Sequence, residues 1–137
     1  MDCIFCKIIS NEIPSVKVYE NDRVFAFLDI NPLNAGHLLV IPKAHAETIH
    51  DITEADFVAV AAATHKLAAA VKKALNPEGI NLMQLNGKAA NQVVPHLHVH
   101  IVPRWSGDGL TICKWELVAG DVEEIKAVGE KIKQAIE

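Results

Sequence analysis

Polar and apolar residues alternate strictly along Pro95-His96-Leu97-His98-Val99-His100-Ile101-Val102-Pro103. That is the period of a half-buried strand, whose successive side chains point to opposite faces. Leu97, Val99 and Ile101 then face a core, and His96, His98 and His100 stand in a row on the other face. The same patterning predicts strands at residues 16–20 and 24–28, joined at Asn21-Asp22 as a hairpin. Residues 37–42, an unbroken apolar run after the first histidine, read as a strand central in a sheet. Residues 80–85 are a further strand, and the polar stretch 86–94 is a loop feeding the histidine strand.

Helical spacing appears three times. Residues 3–9 are a short helix with Phe5, Ile8 and Ile9 inward. Thr53 opens the main helix as an N-cap, with Asp56 three residues on. Its buried stripe is Phe57, Val60, Ala61, Thr64, Leu67, Ala68, Val71 and Leu75, and residues 76–79 stop it. A last helix starts near Asp121, with Glu124 completing the cap and a stripe of Val122, Ile125, Val128, Ile132 and Ile136. Residues 11–14, 29–36 and 105–109 are turns and loops. Hairpin-joined strands with few helices predict an antiparallel sheet in an α+β domain. Gly36 has no G-x-G-x-x-G context, so a dinucleotide-binding Rossmann unit is unsupported.

Composition narrows the picture. At 137 residues, 50% hydrophobic, the chain has the length of one domain and enough apolar material for a real core. No apolar run approaches the roughly 18 residues of a membrane helix. No basic region followed by an apolar stretch marks a signal peptide. The net charge is -4 and no basic cluster stands out, which argues against general nucleic-acid binding and leaves a single nucleotide open. Three cysteines, two of them as Cys3-x-x-Cys6, do not make a secreted disulfide framework; a reducing cytoplasm is the expectation.

Three imidazoles on one strand face are hard to explain as packing. They suit either metal ligation or nucleophilic catalysis by a ring nitrogen whose neighbours orient it and bind charge. The strand alone leaves both open. Cys3-x-x-Cys6 is equally open: a redox pair, half a zinc site, or two buried small residues. A thioredoxin-type pair follows a strand, and this one does not. A zinc site needs two more ligands, from His45, His50, His65 or the histidine strand, and spacing does not choose among them. His65 and His50 read as surface residues. His37, at the start of an apolar strand, is either a hydrogen-bonded structural ring or part of a site. Cys113 reads as a small core residue, Phe25 and Phe27 as strand packing, and Trp105 and Trp115 as core or interface.

Taken together, the motifs resemble a known family. His96-Leu-His98-Val-His100-Ile-Val is similar to the histidine triad of the HIT family. Cys3-Ile-Phe-Cys-Lys-Ile-Ile, Glu12-Ile-Pro14, Val18-Tyr-Glu20, Phe25-Ala-Phe-Leu-Asp-Ile30 and Gly36-His-Leu-Leu-Val-Ile-Pro-Lys43 also look like it, in its order. The likeness runs from Cys3 to Arg104 and is strongest to the Hint-like branch of purine-nucleotide-binding phosphoramidases and hydrolases. It implies one HIT domain over residues 1–137: a five-stranded antiparallel sheet with two main helices, usually a homodimer whose sheets run on across the interface.

The resemblance also implies roles. His98 is the nucleophile that attacks the α-phosphate of a nucleotide, His100 holds phosphate oxygens or steadies the leaving group, and His37 lines the phosphate site. Asp29 takes the ribose hydroxyls. Phe5, Ile8, Ile13, Phe27 and Ile30 surround the purine. Asn86 and Gln92 belong to the loop that contacts ribose and phosphate. Relatives often carry Ser or Thr where this chain has Val93, which has no hydroxyl to offer. A bacterial subset holds a structural zinc on residues matching Cys3, Cys6, His45 and His96. No organic cofactor, nucleic acid or membrane enters the picture. The implied activity is hydrolysis of purine nucleoside 5′-phosphoramidates or related adenylylated compounds. Dinucleoside polyphosphate hydrolysis differs only in the leaving group. A metal-dependent hydrolase using the triad as ligands, and a nucleotide-binding protein with incidental turnover, are the readings from other classes.

Overall fold

A computed structural model describes residues 2–137. The element order is α1 (Ile4–Ile9), β1 (Lys17–Glu20), β2 (Val24–Leu28), β3 (Leu38–Pro42), α2 (Glu54–Leu75), β4 (Gly79–Gln84), a 3₁₀ turn (Lys88–Ala90), β5 (Val99–Arg104) and α3 (Val122–Ala135). The strands form one five-stranded sheet in the order β1-β2-β3-β5-β4, with every neighbouring pair antiparallel. The α+β architecture is therefore the expected one, and β3 is the central strand.

The apolar runs of β2 and β3 follow from burial on both faces. Val24 and Ala26 of β2, Leu38 and Val40 of β3, and Leu97 and Ile101 pack under Val60, Ala63, Leu67 and Val71 of α2. The alternate residues Phe25, Phe27, Leu39 and Ile41 form a second core on the other face, closed by Cys3, Phe5 and Ile8 of the N-terminal segment. The α2 stripe departs at two positions: Ala63 is buried where Ala61 was expected, with Ala61 exposed, and Leu75 at the helix end is 43% exposed.

Local signals set the ends. Thr53 Oγ1 accepts from the Asp56 N–H at 3.1 Å, capping α2 as predicted. Asn76 closes that helix in the left-handed region, and Pro77 prevents its continuation. Asn21 Oδ1 accepts from the backbone of Arg23 and Val24 at 2.9 and 2.8 Å, making the β1–β2 turn.

Three expectations need correction. The histidine strand is shorter than its alternation: β5 begins at Val99, so only His100 lies in the ladder. Continued register would place Pro42 opposite Leu97, and Pro42 has no N–H to donate. The Leu97 N–H goes instead to Ala46 O at 2.7 Å. Cys113 is exposed with φ 58°, not a core residue. The apolar stripe of α3 is not in the core either: Ile125, Val128 and Ile132 are 59%, 54% and 61% exposed. Trp115 is exposed as well. Among the described residues, no helix is long and apolar enough to cross a membrane.

Candidate active site and metal site

The second core does not close over the sheet. Between α1, the β2–β3 loop and the start of β5 it leaves a cavity of about 410 Å³, within the range of small-molecule sites. Phe5, Ile8, Ile13, Phe27 and Ile30 line it, with Asp29, Val93, His98 and His100. Of the expected contacts, these nine are brought together. Asp29 is the only charged side chain among the lining residues. Ile4, Pro14, Ser15 and Asn31 line the cavity too. They were not singled out, because a residue at a loop turn or helix start carries no pattern that marks it as a wall.

Backbone hydrogen bonds fix the histidine tautomers. His98 Nδ1 lies 2.7 Å from the carbonyl of His96. A carbonyl only accepts, so Nδ1 carries the proton and Nε2 keeps the lone pair. His37 is set from the other side. The Leu33 N–H donates to His37 Nδ1 at 3.0 Å, which leaves the ring proton on Nε2. That Nε2–H points to His100 Nδ1 at 2.9 Å, so Nδ1 of His100 accepts and its own proton sits on Nε2. His98 and His100 stand edge-on with centroids 4.8 Å apart. The pair therefore presents one bare nitrogen and one N–H.

Burial favours the neutral rings. It pushes His98 below the ordinary histidine range, partly offset by the His96 carbonyl. It lowers His37 as well, against the attraction of Asp29, whose Oδ2 is 3.8 Å away. His100 is pushed down to about 4 by burial and by His98 and His37.

Asp29, His37 and His100 also lie close enough to suggest a cation site. The tautomers argue against it. His37 Nδ1 is already an acceptor, so a metal on Nε2 would require a fully deprotonated ring.

The first triad histidine turns elsewhere. His96 donates Nε2–H to Pro42 O at 2.9 Å. Its bare Nδ1 stands 3.3 Å from Cys3 Sγ, 3.6 Å from Cys6 Sγ and 3.2 Å from His45 Nδ1. Cys6 Sγ is 3.4 Å from His45 Nδ1. A tetrahedral zinc with arms of roughly 2.0–2.3 Å has edges of roughly 3.3–3.8 Å, so these spacings fit a closed two-sulfur, two-nitrogen set. Burial, together with Cys3 beside it, pushes the Cys6 thiol up to about 11. A thiolate there calls for a cation. His50 and His65 are exposed and outside both clusters.

Asn86 and Gln92 do not line the cavity. Asn86 Oδ1 accepts from the Ile49 N–H at 2.7 Å, and its amide donates to Gln84. Gln92 donates to the carbonyls of Glu47 and Val94 and accepts from Gly87 N–H. Both side chains brace the loop that carries Val93. Sequence reasoning also passed over Leu33 and Pro42, whose backbones act on His37 and His96; a backbone contact leaves no side-chain signal.

The comparisons agree with this geometry. The family model for the HIT domain matches residues 10–107. The chain is 42% identical to an adenosine 5′-monophosphoramidase of Schizosaccharomyces pombe, over 99% of each chain. Its fold matches the crystal structure of a HIT family member from Bacillus subtilis with a TM-score of 0.95 and 37% identity, covering 100% of this chain and 99% of that one. A zinc-bound histidine triad family protein from Mycobacterium smegmatis matches with a TM-score of 0.77 and 35% identity, covering 99% of each. A histidine triad divided between a catalytic-looking pair and a metal-type cluster, on this sheet and with these relatives, places the chain in the HIT family.

Proposed function

We propose that this protein hydrolyses adenosine 5′-phosphoramidates or related adenylylated compounds through a covalent nucleotidyl-histidine. One observation carries the reading. His98 donates its Nδ1–H to the carbonyl of His96 at 2.7 Å and lines the open cavity, so its free Nε2 is the available nucleophile. The relative named as an adenosine 5′-monophosphoramidase supports the substrate class.

The purine sits among Phe5, Ile8, Ile13, Phe27 and Ile30, and Asp29 accepts from the ribose hydroxyls. His98 Nε2 attacks the α-phosphorus. A phosphorus–nitrogen bond to imidazole forms as the bond to the departing amine breaks, and the amine takes a proton from solvent water, which is returned when the second step's attacking water loses its own. The His96 carbonyl steadies the positive charge that develops on the His98 ring. The His100 Nε2–H binds a phosphate oxygen. Water then attacks the phosphorus, releasing the nucleoside monophosphate and free His98. Splitting one displacement into two is what the nucleophile contributes.

The zinc set of Cys3, Cys6, His45 and His96 fits a structural ion, which ties the N-terminal segment to the residues just before β5. No reaction step passes through it. The reading takes residues 1–137 as one HIT domain, because both cores share one sheet. It places the protein in a reducing compartment, the cytoplasm, where Cys3 and Cys6 stay available to metal. It takes the working form as a homodimer: the apolar face of α3 is uncovered, and β4 is a sheet edge with Leu82 54% exposed.

The test is trapping. Purified protein is incubated with adenosine 5′-phosphoramidate, quenched at alkaline pH and mapped by mass spectrometry, with and without prior chelation. AMP on His98, undiminished by chelator, is the expected result. Chelator-sensitive turnover with no adduct would overturn the nucleophile and make the triad a metal site.

A further inference from the structure

We infer that Asn34 and Asp108 form a clamp that positions the nucleotide loop, making both of them positioning residues for the reaction above, on which this inference rests. The loop of residues 29–37 has two duties. It presents Asp29 to the cavity, and its Leu33 N–H fixes the tautomer of His37, which in turn fixes His100. Both duties depend on where the loop's backbone lies.

The loop's base is secured by the sheet, where the Asp29 N–H meets His37 O at 2.9 Å. Its middle has little apolar anchorage: Ile30 is 82% exposed and Leu33 43%. Asn34 supplies the hold instead. Its Nδ2 donates to Pro103 O and to Asp108 Oδ2, both at 2.9 Å. Its own carbonyl accepts the His37 N–H at 3.1 Å. The residue therefore links the body of the protein to His37, one position after the Leu33 amide.

Asp108 is a fixed anchor. Arg104 grips it with Nε at 2.8 Å and Nη2 at 3.1 Å. The N–H groups of Trp105 and Leu110 each reach it at 3.1 Å. Arg104 is itself held to Asn81 of β4 at 2.8 Å and to Leu110 O at 3.0 Å. An amide donating to an ionised acceptor makes a shorter, stronger bond than a neutral pair. The carboxylate thus transmits the rigidity of the β4–β5 edge to a loop that has little of its own.

The experiment is a double-mutant cycle on the full chain: Asn34→Ala, Asp108→Ala and the two combined. KM and kcat for adenosine 5′-phosphoramidate, AMP affinity, Tm, and the His37 tautomer by ¹⁵N NMR are read together. Asn34→Ala and Asp108→Ala each remove the Asn34–Asp108 bond, so the part of each loss that runs through this contact is counted once, not twice, in the combined variant. Asn34→Ala and Asp108→Ala are each expected to raise KM and the AMP Kd about 10-fold and to give His37 mixed tautomers. The combined variant is expected to lose clearly less than the sum of the two single losses. An unchanged KM with a single His37 tautomer, even with a lower Tm, would overturn the clamp, as would losses that simply add in the combined variant. A wild-type protein with no AMP binding and no turnover would sink the proposed function and the clamp's part in it. The His37 tautomer would then still report whether the loop is held.

Discussion

Phe5 meets His98 edge-on, with ring centroids 5.2 Å apart and planes at 89°. The same ring stands 5.9 Å from His96 and 5.4 Å from Phe27. Phe5 lies between Cys3 and Cys6, so the residues that would hold zinc flank a wall of the cavity beside His98. Cys3 also caps α1, accepting from the Cys6 N–H. A six-residue helix has no stability of its own in water, and its position depends on these tethers.

Cys3→Ser should therefore lose bound zinc, lower Tm and weaken AMP binding about 10-fold, or ~1.4 kcal/mol, while still forming the His98 adduct. Elemental analysis, thermal unfolding and calorimetry check the three effects. AMP affinity that is unchanged in a zinc-free protein would separate the metal from the cavity.

Acid should act on stability through His37 and His100. His100 is pushed down to about 4, and His37 is lowered too, both chiefly by burial. In the unfolded chain each titrates near 6.5. Between those values the unfolded state binds more protons, so stability rises with pH there. The urea midpoint should be steady above about pH 7, fall as pH drops below about 6.5, and continue falling toward about 4. Substituting His100 by Asn should reduce that slope. A midpoint that rises on acidification through this window would contradict the buried neutral rings.

Gly36→Ala tests the base of the loop of residues 29–37. Gly36 has φ 89°, and an added Cβ would run into Leu75 Cδ1 and meet Pro103 Cγ at 3.2 Å. A positive φ on a non-glycine residue and a displaced Leu75 should together cost about 2 kcal/mol. Because His37 follows directly, AMP affinity should fall as well. Denaturant unfolding and calorimetry give the two numbers, and a neutral Gly36→Ala would show that the loop adapts.

The sheet was legible because its strands carry unbroken apolar runs or clean alternation bounded by turn residues. The Thr53 cap and the Asn21 turn were legible because each is a short-range side-chain bond. The pairing of Cys3 and Cys6 with His45 and His96 was open at the level of spacing, since the ligands lie up to 93 residues apart; only the family resemblance joined them. The tautomer chain was invisible, because its first link is the Leu33 backbone N–H. Asn86 and Gln92 show the reverse problem. Their types suit a phosphate loop, yet the Asn86 amide is taken up by the Gln84 side chain and the Ile49 N–H, and that of Gln92 by the backbone around it. The early end of the histidine ladder turned on Pro42, a residue of a different strand.

The α3 stripe was legible as amphipathic but not as to what it covers. Val122, Ile125, Val128 and Ile132 follow helical spacing, and all are more than half exposed. A 14-residue helix with no packed face is marginal in water, so its stability should come from a second copy of the chain. Light scattering should give twice the chain mass. Ile125→Glu and Ile132→Glu together place two charges on the stripe, and should yield a monomer with reduced helicity by circular dichroism. If the variant stays dimeric, β4 alone carries the interface. If the wild type is a monomer with α3 intact, the helix is held by its own capping, through Asp121 and the backbone of Glu123 and Glu124, and the homodimer is wrong.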